Sequence, residues 1–223
     1  MTRGRLTGRL DVRRRVFIGL ASGVLVLSMA AGAYASTLRD VVPRSGTLAG
    51  QTYRYWLTQT WKFYFTGPKP CQTVKINGRS VLLVENFGGG RTTCHVPARR
   101  PIYVNELSTQ CSTLPGHHNG FGTSDSDLRQ CSRVGTVKAL ISAWLDGRDV
   151  PHFGHYWWKG TLAFGVDIPQ GRFPGNPSHA RAAAWGWSLA LRGLPKGKHT
   201  IKCQGLHPNR QKYFDSRVTL YVH

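Results

Sequence analysis

Apolar and polar residues alternate along several short stretches of this 223-residue chain. A period of two is the rhythm of a half-buried β-strand. It runs through Leu162, Phe164, Val166 and Ile168; through Trp185, Trp187, Leu189 and Leu191; and through Val218, Leu220 and Val222. Turn signals separate these stretches. Val74 to Ile76, then Asn77-Gly78, then Val81 to Val84 spells a hairpin, because both central positions of its tight turn require positive φ. Leu140 to Leu145 followed by Asp146-Gly147 repeats the signal, and Pro195-Lys196-Gly197 turns the chain before the last strands. Short strands with frequent turns predict a mainly β fold, an antiparallel β-sandwich.

One segment departs from that rhythm. In residues 51–65, Tyr53, Trp56, Leu57, Trp61 and Tyr64 recur at spacings of three and four, which predicts one amphipathic helix near the N-terminus of the domain. Gly67-Pro68 ends it. Its aromatic stripe is expected to pack on a sheet. A second, shorter helix is expected over Ser126 to Cys131, capped by Ser126 or Asp125. Two glycine- and proline-rich stretches, Cys111 to Ser124 and Pro169 to His179, read as long loops.

Before this domain the chain carries an address. Arg3, Arg5, Arg9 and Arg13 to Arg15 precede an uncharged run, Val16 to Ala35, which closes on Ala33-Tyr34-Ala35. Residues 1–35 are therefore expected to be a cleaved signal peptide, with Ser36 the mature N-terminus and 36–50 a linker to the domain over 51–223. Arg14-Arg15-Val16-Phe17-Ile18 resembles a twin-arginine signal. The alternative is an uncleaved N-terminal membrane anchor, since twenty uncharged residues suffice to span a bilayer. Either reading places the domain outside the cytoplasm. Removing residues 1–35 leaves 24 Lys and Arg against 9 Asp and Glu, a net charge of +15 over 188 residues. That balance favours anionic partners such as an envelope polymer or a membrane surface. The cations are scattered singly along the sequence, so a dispersed, solubilising charge is the competing account.

All five cysteines follow the cleavage site. An exported chain is oxidised, and pairing of neighbours around hairpins or loops gives Cys71–Cys94 and Cys111–Cys131. Cys203, alternating onto the face of Ile201, is expected to be a buried, inert thiol.

Chemistry is thinly supplied. There is no Gly-x-Ser-x-Gly elbow, His-Glu-x-x-His helix or phosphate-binding glycine loop. The mature chain has two glutamates, Glu85 and Glu106, expected to be loop carboxylates beside arginines and not a glycosidase pair. His152 and His155, or His117 and His118, could share a metal, but no third ligand stands at fixed spacing, so no cofactor is expected. Trp157 and Trp158 flank this region with Lys159. An exposed indole beside a cation could seat a sugar or a partner, so Trp157, Trp158, His152, His155 and Lys159 form the candidate binding set, with no catalytic residue. Nucleic acid is disfavoured: no oligonucleotide-binding motif is present and export removes most such targets.

Several motifs occur in an order that resembles a family of secreted β-sandwich proteins of actinobacteria and related bacteria, none with an assigned activity. They are the tryptophan-rich helix from Tyr55-Trp56 to Trp61, then Cys71, Arg91-Thr92-Thr93-Cys94-His95-Val96-Pro97, Asn105 leading to Cys111, Leu128-Arg129-Gln130-Cys131, Leu145-Asp146-Gly147 and Leu194-Pro195-Lys196-Gly197-Lys198-His199-Thr200-Ile201. The resemblance implies export and a sandwich, and brings no activity. The resulting expectation is an exported, non-catalytic domain associating with anionic envelope or extracellular material. The alternative is a secreted hydrolase or metal-dependent enzyme using loop histidines.

Overall fold

The computed structural model describes residues 38–67, 69–86, 89–114, 120–134, 140–206 and 212–223, excepting the side chains of His155, Tyr156, Trp158, Lys212 and Tyr213. The export segment and His117-His118 lie outside the described residues. Along the chain come β1 (Thr47–Leu48), β2 (Gln51–Thr52), α1 (Tyr53–Thr66), β3 (Cys71–Ile76), β4 (Arg79–Glu85) and β5 (Gly90–Val96). Then follow β6 (Ile102–Ser112), α2 (Asp125–Val134), β7 (Leu140–Leu145), β8 (Arg148–Asp149) and the four-residue α3 (Phe153–Tyr156). The chain closes with β9 (Trp158–Gly160), β10 (Phe164–Asp167), β11 (His179–Leu191), β12 (Gly197–Leu206) and β13 (Lys212–Val222).

Pairing assembles these into a mainly β sandwich. One sheet runs β10-β11-β6-β4-β3, with β9 also on β11; the other runs β5-β13-β12-β7-β8; β1 and β2 form a small ribbon. The ladders are antiparallel except β4 with β6 and β13 with β5. Both tight turns form where the dipeptides required them, with φ of 50° and 75° at Asn77 and Gly78, and 50° and 79° at Asp146 and Gly147. Side chains of both sheets and α1 share one apolar core. Leu162 departs from the expected alternation: it sits before β10 and is 57% exposed.

Helix α1 starts two residues later than the periodicity suggested. Thr52 caps it by accepting from the Tyr55 amide at 3.3 Å, and Gly67 at φ 127° returns its amide to the Phe63 carbonyl at 2.9 Å. Tyr53, Trp56, Leu57, Trp61 and Phe65 are buried, so Phe65 holds the last core position in place of the half-buried Tyr64. The helix packs on the outer side of the six-stranded sheet, where Trp61 Nε1 donates to Ser108 Oγ at 3.1 Å. Residues 38–50 are not a loose linker. Val42 is fully buried and its amide donates to the Ala190 carbonyl at 2.8 Å. The loop from Pro169 to His179 is also tied down: Phe173 packs on Phe65, and Arg172 donates to the Tyr64 carbonyl at 3.0 Å.

The cap of α2 is Ser124, not Ser126 or Asp125. Ser124 Oγ accepts from the Asp127 amide at 3.2 Å while Asp127 Oδ2 accepts from the Ser124 amide at 3.1 Å, a reciprocal capping box that starts one residue earlier than expected. Cys71 pairs with Cys94 and Cys111 with Cys131, at Cα separations of 5.8 and 6.0 Å. Neither closes a hairpin. The first ties edge strand β3 of one sheet to edge strand β5 of the other, and the second ties α2 to β6. Cys203 is a buried free thiol. Two disulfides indicate an extracytoplasmic setting. Among the described residues no helix is long and apolar enough to cross a membrane.

Candidate functional site

The residues around α3 do not converge as an open platform. Trp157 ends α3 instead of lying in a strand, and only 6% of it is exposed. Its ring meets Tyr53 edge-on at 5.5 Å and stacks on Phe153 at 5.9 Å, and its Nε1 donates to the Pro151 carbonyl at 3.3 Å. It is a core residue whose edge, with exposed His152, Leu38, Val41 and Val150, lines an apolar groove of about 320 Å³. His152 stands in the left-handed region at φ 56°. Half-buried Lys159 has its pKa lowered by burial and by repulsion from Arg44 and Arg54. The side chains of His155 and Trp158 are outside the described residues. Among the described residues no three His, Cys, Asp or Glu side chains gather as a metal site.

Neither glutamate lies in a loop, and among the described residues neither forms an ion pair with an arginine. Glu85 ends β4 and is 5% exposed; Glu106 lies inside β6 and is fully buried. Glu85 pairs with Asn105 in the parallel ladder, so adjacent Glu106 points to the opposite side of the sheet. There it reaches the second sheet and accepts from Ser216 Oγ at 2.7 Å. Glu106 is also the extra residue of a β-bulge, since Ser188 faces Asn105 while Trp187 faces Leu107. Both Glu85 oxygens and Glu106 Oε1 are buried without a hydrogen-bond partner. Burial pushes the Glu85 carboxyl up to about 8 and the Glu106 carboxyl up to about 7, the latter against the opposing Ser216 bond. On opposite sides of a sheet the two cannot act as a glycosidase pair.

The chemistry that does converge is on the outer face of the five-stranded sheet. Its ladder places Lys202 opposite Arg217, and Arg217 beside Arg91. Trp144 on β7 continues this row, with the Lys202 ammonium 5.4 Å from its ring centroid. Adjacent strands lie about 4.8 Å apart, so three cations stand in file across three strands. Four residues along the strands, about 13 Å away, a second row holds Lys198, Tyr221 and His95. His95 stacks on Tyr221 at 5.2 Å and Lys198 lies 5.9 Å over the same ring. Threonines 200, 219 and 93 fill the space between the rows.

Among the described residues no helix covers this face, and Arg91, Lys198 and Arg217 are exposed. The ion pairs among the described residues are His179–Asp167, Arg181–Asp125 and His199–Asp146, and none involves these cations. Arg91, Lys202 and Arg217, with Gly90, Asp215 and Ser216, line a polar groove of about 270 Å³. One corner of the sheet is fixed by Asp146, which accepts from the Thr200 amide at 2.7 Å and from His199 Nδ1 at 2.7 Å, while His199 Nε2 meets the Pro195 carbonyl at 3.0 Å. The Leu145-Asp146-Gly147 and Lys198-His199-Thr200 motifs are thus two halves of one structural clamp.

Sequence reasoning saw these cations as scattered. Alternation alone puts residues 198, 200 and 202 on one face of β12, and 217, 219 and 221 on one face of β13. Their juxtaposition with Arg91 required the parallel pairing of β5 with β13, which no local pattern announces.

No protein-family model matches the chain, and no curated protein matches it. Among solved structures, the chain is similar to the crystal structure of the cysteine protease inhibitor EhICP2 from Entamoeba histolytica, at 10% identity and a TM-score of 0.24, over 63% of this chain and 95% of that one. The solution structure of Amebosin is similar at 10% identity and a TM-score of 0.21, over 63% of this chain and 96% of that one.

Proposed function

We propose that this is an exported, non-catalytic domain that holds a linear anionic polymer of the cell envelope against the outer face of the five-stranded sheet. The observation that carries this reading is the file Lys202–Arg217–Arg91, like charges placed directly opposite one another on a face that no described helix covers. Such an arrangement costs stability in the free protein. A bound polyanion relieves the repulsion, and the ring of Trp144 at the end of the row supplies flat contact. Extended strands present the cations at regular intervals, which suits a chain of repeating charge better than a single small ion.

The test is binding of the purified protein to isolated cell walls, with anionic lipid vesicles as a second arm. Binding should weaken sharply from about 0.1 to about 1 M salt, as the Debye length shrinks from about 10 to about 3 Å. Each single Gln substitution should cost under about 1 kcal/mol, while R91Q/K202Q/R217Q together should lower affinity about tenfold or more. Salt-resistant binding, or an unchanged triple variant, would sink the proposal. Preference for vesicles over walls would replace the polymer with a membrane surface. Export through residues 1–35 belongs to the same reading, and N-terminal sequencing of secreted material should give Ser36. A membrane-bound chain beginning near Met1 would show an anchor instead.

A further inference from the structure

The outer face of the five-stranded sheet has a direction. Across the strands the file reads Arg91 on β5, Arg217 on β13, Lys202 on β12, Trp144 on β7 and Asp149 on β8, each directly opposite the next. Neighbours in this file stand about 4.8 Å apart, whereas Lys198, in the next row along the strands, is about 13 Å from Lys202. Positive charge is therefore dense across the sheet and sparse along it. Exposed Asp149 ends the file beyond the indole, which leaves a cationic stretch three strands wide.

The two flanks of the file differ. On one side, about 7 Å along the strands, lie Thr93, Thr219 and Thr200, the first exposed and the other two half-buried. On the other side Asp215 borders the polar groove. A ligand in the file thus meets hydroxyls along one edge and an acid on the other, which confines its own anionic groups to the cations between. Half-buried Trp144 is in line with those cations, and the Lys202 ammonium 5.4 Å from its ring centroid is fixed in place without being neutralised. Arg91 and Arg217 stand side by side, each with a planar fork of donors.

We propose that the bound polymer is a polyuronate, a glycan with a carboxylate on every sugar ring, lying across the strands along this file with one ring against Trp144. This rests on the polymer-binding function proposed above and adds the chemistry and direction of the chain. Cations one strand apart call for anions that recur at every short repeat. A glycan charged on alternate rings meets them at best alternately and leaves the like-charge crowding in place. Each guanidinium takes a carboxylate through paired hydrogen bonds. The threonines suit ring hydroxyls, and the indole suits the C–H side of a pyranose. A polyol-phosphate chain carries charge but no ring for the indole, and its flexible backbone loses more entropy when ordered. A flat anionic membrane would meet both cationic rows at once.

Calorimetric titration of the full-length protein with hexagalacturonate, with the indole resonances followed by NMR, tests this. Hexagalacturonate should bind about tenfold or more tighter than a hyaluronate hexasaccharide, whose carboxylates sit on alternate rings, and than a glycerol-phosphate hexamer. Binding should perturb one indole that is missing from the spectrum of Trp144→Phe. K202Q should lower the slope of log affinity against log salt by about one. K198Q lies beyond the Debye length of about 10 Å at 0.1 M salt and should stay within about twofold of the parent. Equal binding of hexagalacturonate and hyaluronate, tighter binding of glycerol phosphate, no Trp144 shift at millimolar hexagalacturonate, or K198Q as damaging as K202Q would each overturn the proposal. If cell walls still bind and R91Q/K202Q/R217Q still weakens that binding, only the chemistry or direction of the chain is refuted. If wall binding fails as well, the function proposed for this face falls with it.

Discussion

The protein should melt at a higher temperature at about pH 5.5 than at about pH 8.5, and Glu106→Gln should remove much of that difference. The cause is the burial of Glu106 between the sheets and of Glu85 at the end of β4, with three of their four oxygens lacking partners. Their folded pKa values lie above the ordinary carboxylate value, at about 7 and about 8. The folded state therefore binds more protons than the unfolded chain between the ordinary value and these raised ones. Stability is fully present below the unfolded pKa and is lost as pH rises through about 7 and then about 8. For Glu106 the difference between about pH 5.5 and about pH 8.5 is on the order of 2 kcal/mol, at about 1.4 kcal/mol per pKa unit. Gln keeps an acceptor for Ser216 Oγ without the charge. Glu106→Gln should thus match the parent at low pH and exceed it at high pH, and Glu85→Gln should act in the same direction. Thermal melts in about 0.5 M salt, which screens repulsion among the surface cations, give the readout. A flat profile in the parent, or a Gln variant that is less stable at high pH, would show that these carboxyls are hydrated or paired.

Replacing Cys71 and Cys94 together by alanine should cost about 3 kcal/mol in denaturant unfolding. The sequence separation is 23 residues, and the bond joins two strands that have ladder partners on only one side. Among the described strands β5 pairs only with β13, so without the bond its amides should exchange with solvent much faster while those of β11 and β6 stay protected. Because β5 carries Arg91, this variant should also bind anionic polymer more weakly than the parent at equal folded fraction. Cys203 is no substitute partner: it is buried opposite Ser216 in the centre of the second sheet. A loss of under about 1 kcal/mol, or unchanged exchange in β5, would show that the strand is held by its packing alone.

These two results rest on features of different visibility. The cysteine pairs could be read from neighbours in an exported chain; that the first bond joins the two sheets at their edges could not. Glu85 and Glu106 were misplaced for a clearer reason. A carboxylate is normally solvated, and nothing local marks Glu106 as a bulge residue facing the second sheet. Trp157 was a plausible exposed platform because two successive strand residues point opposite ways. It instead closes a short helix and fills space beside Tyr53.

Where residues interact with near neighbours, the sequence alone was sufficient. Asn77-Gly78 and Asp146-Gly147 can adopt positive φ and so make the turns. The spacing of Tyr53, Trp56, Leu57 and Trp61 makes one side of α1 apolar, and the alternation in β11 and β13 assigns each side chain a face. What a strand pairs with is a property of the whole chain. Period two tells Arg217 to point outward but does not say that Arg91, 126 residues earlier in the chain, will stand beside it. That juxtaposition and the burial of Glu106 against Ser216 both depend on register and on how layers stack. Both are settled by the free energy of closing one shared core, to which no short segment has access.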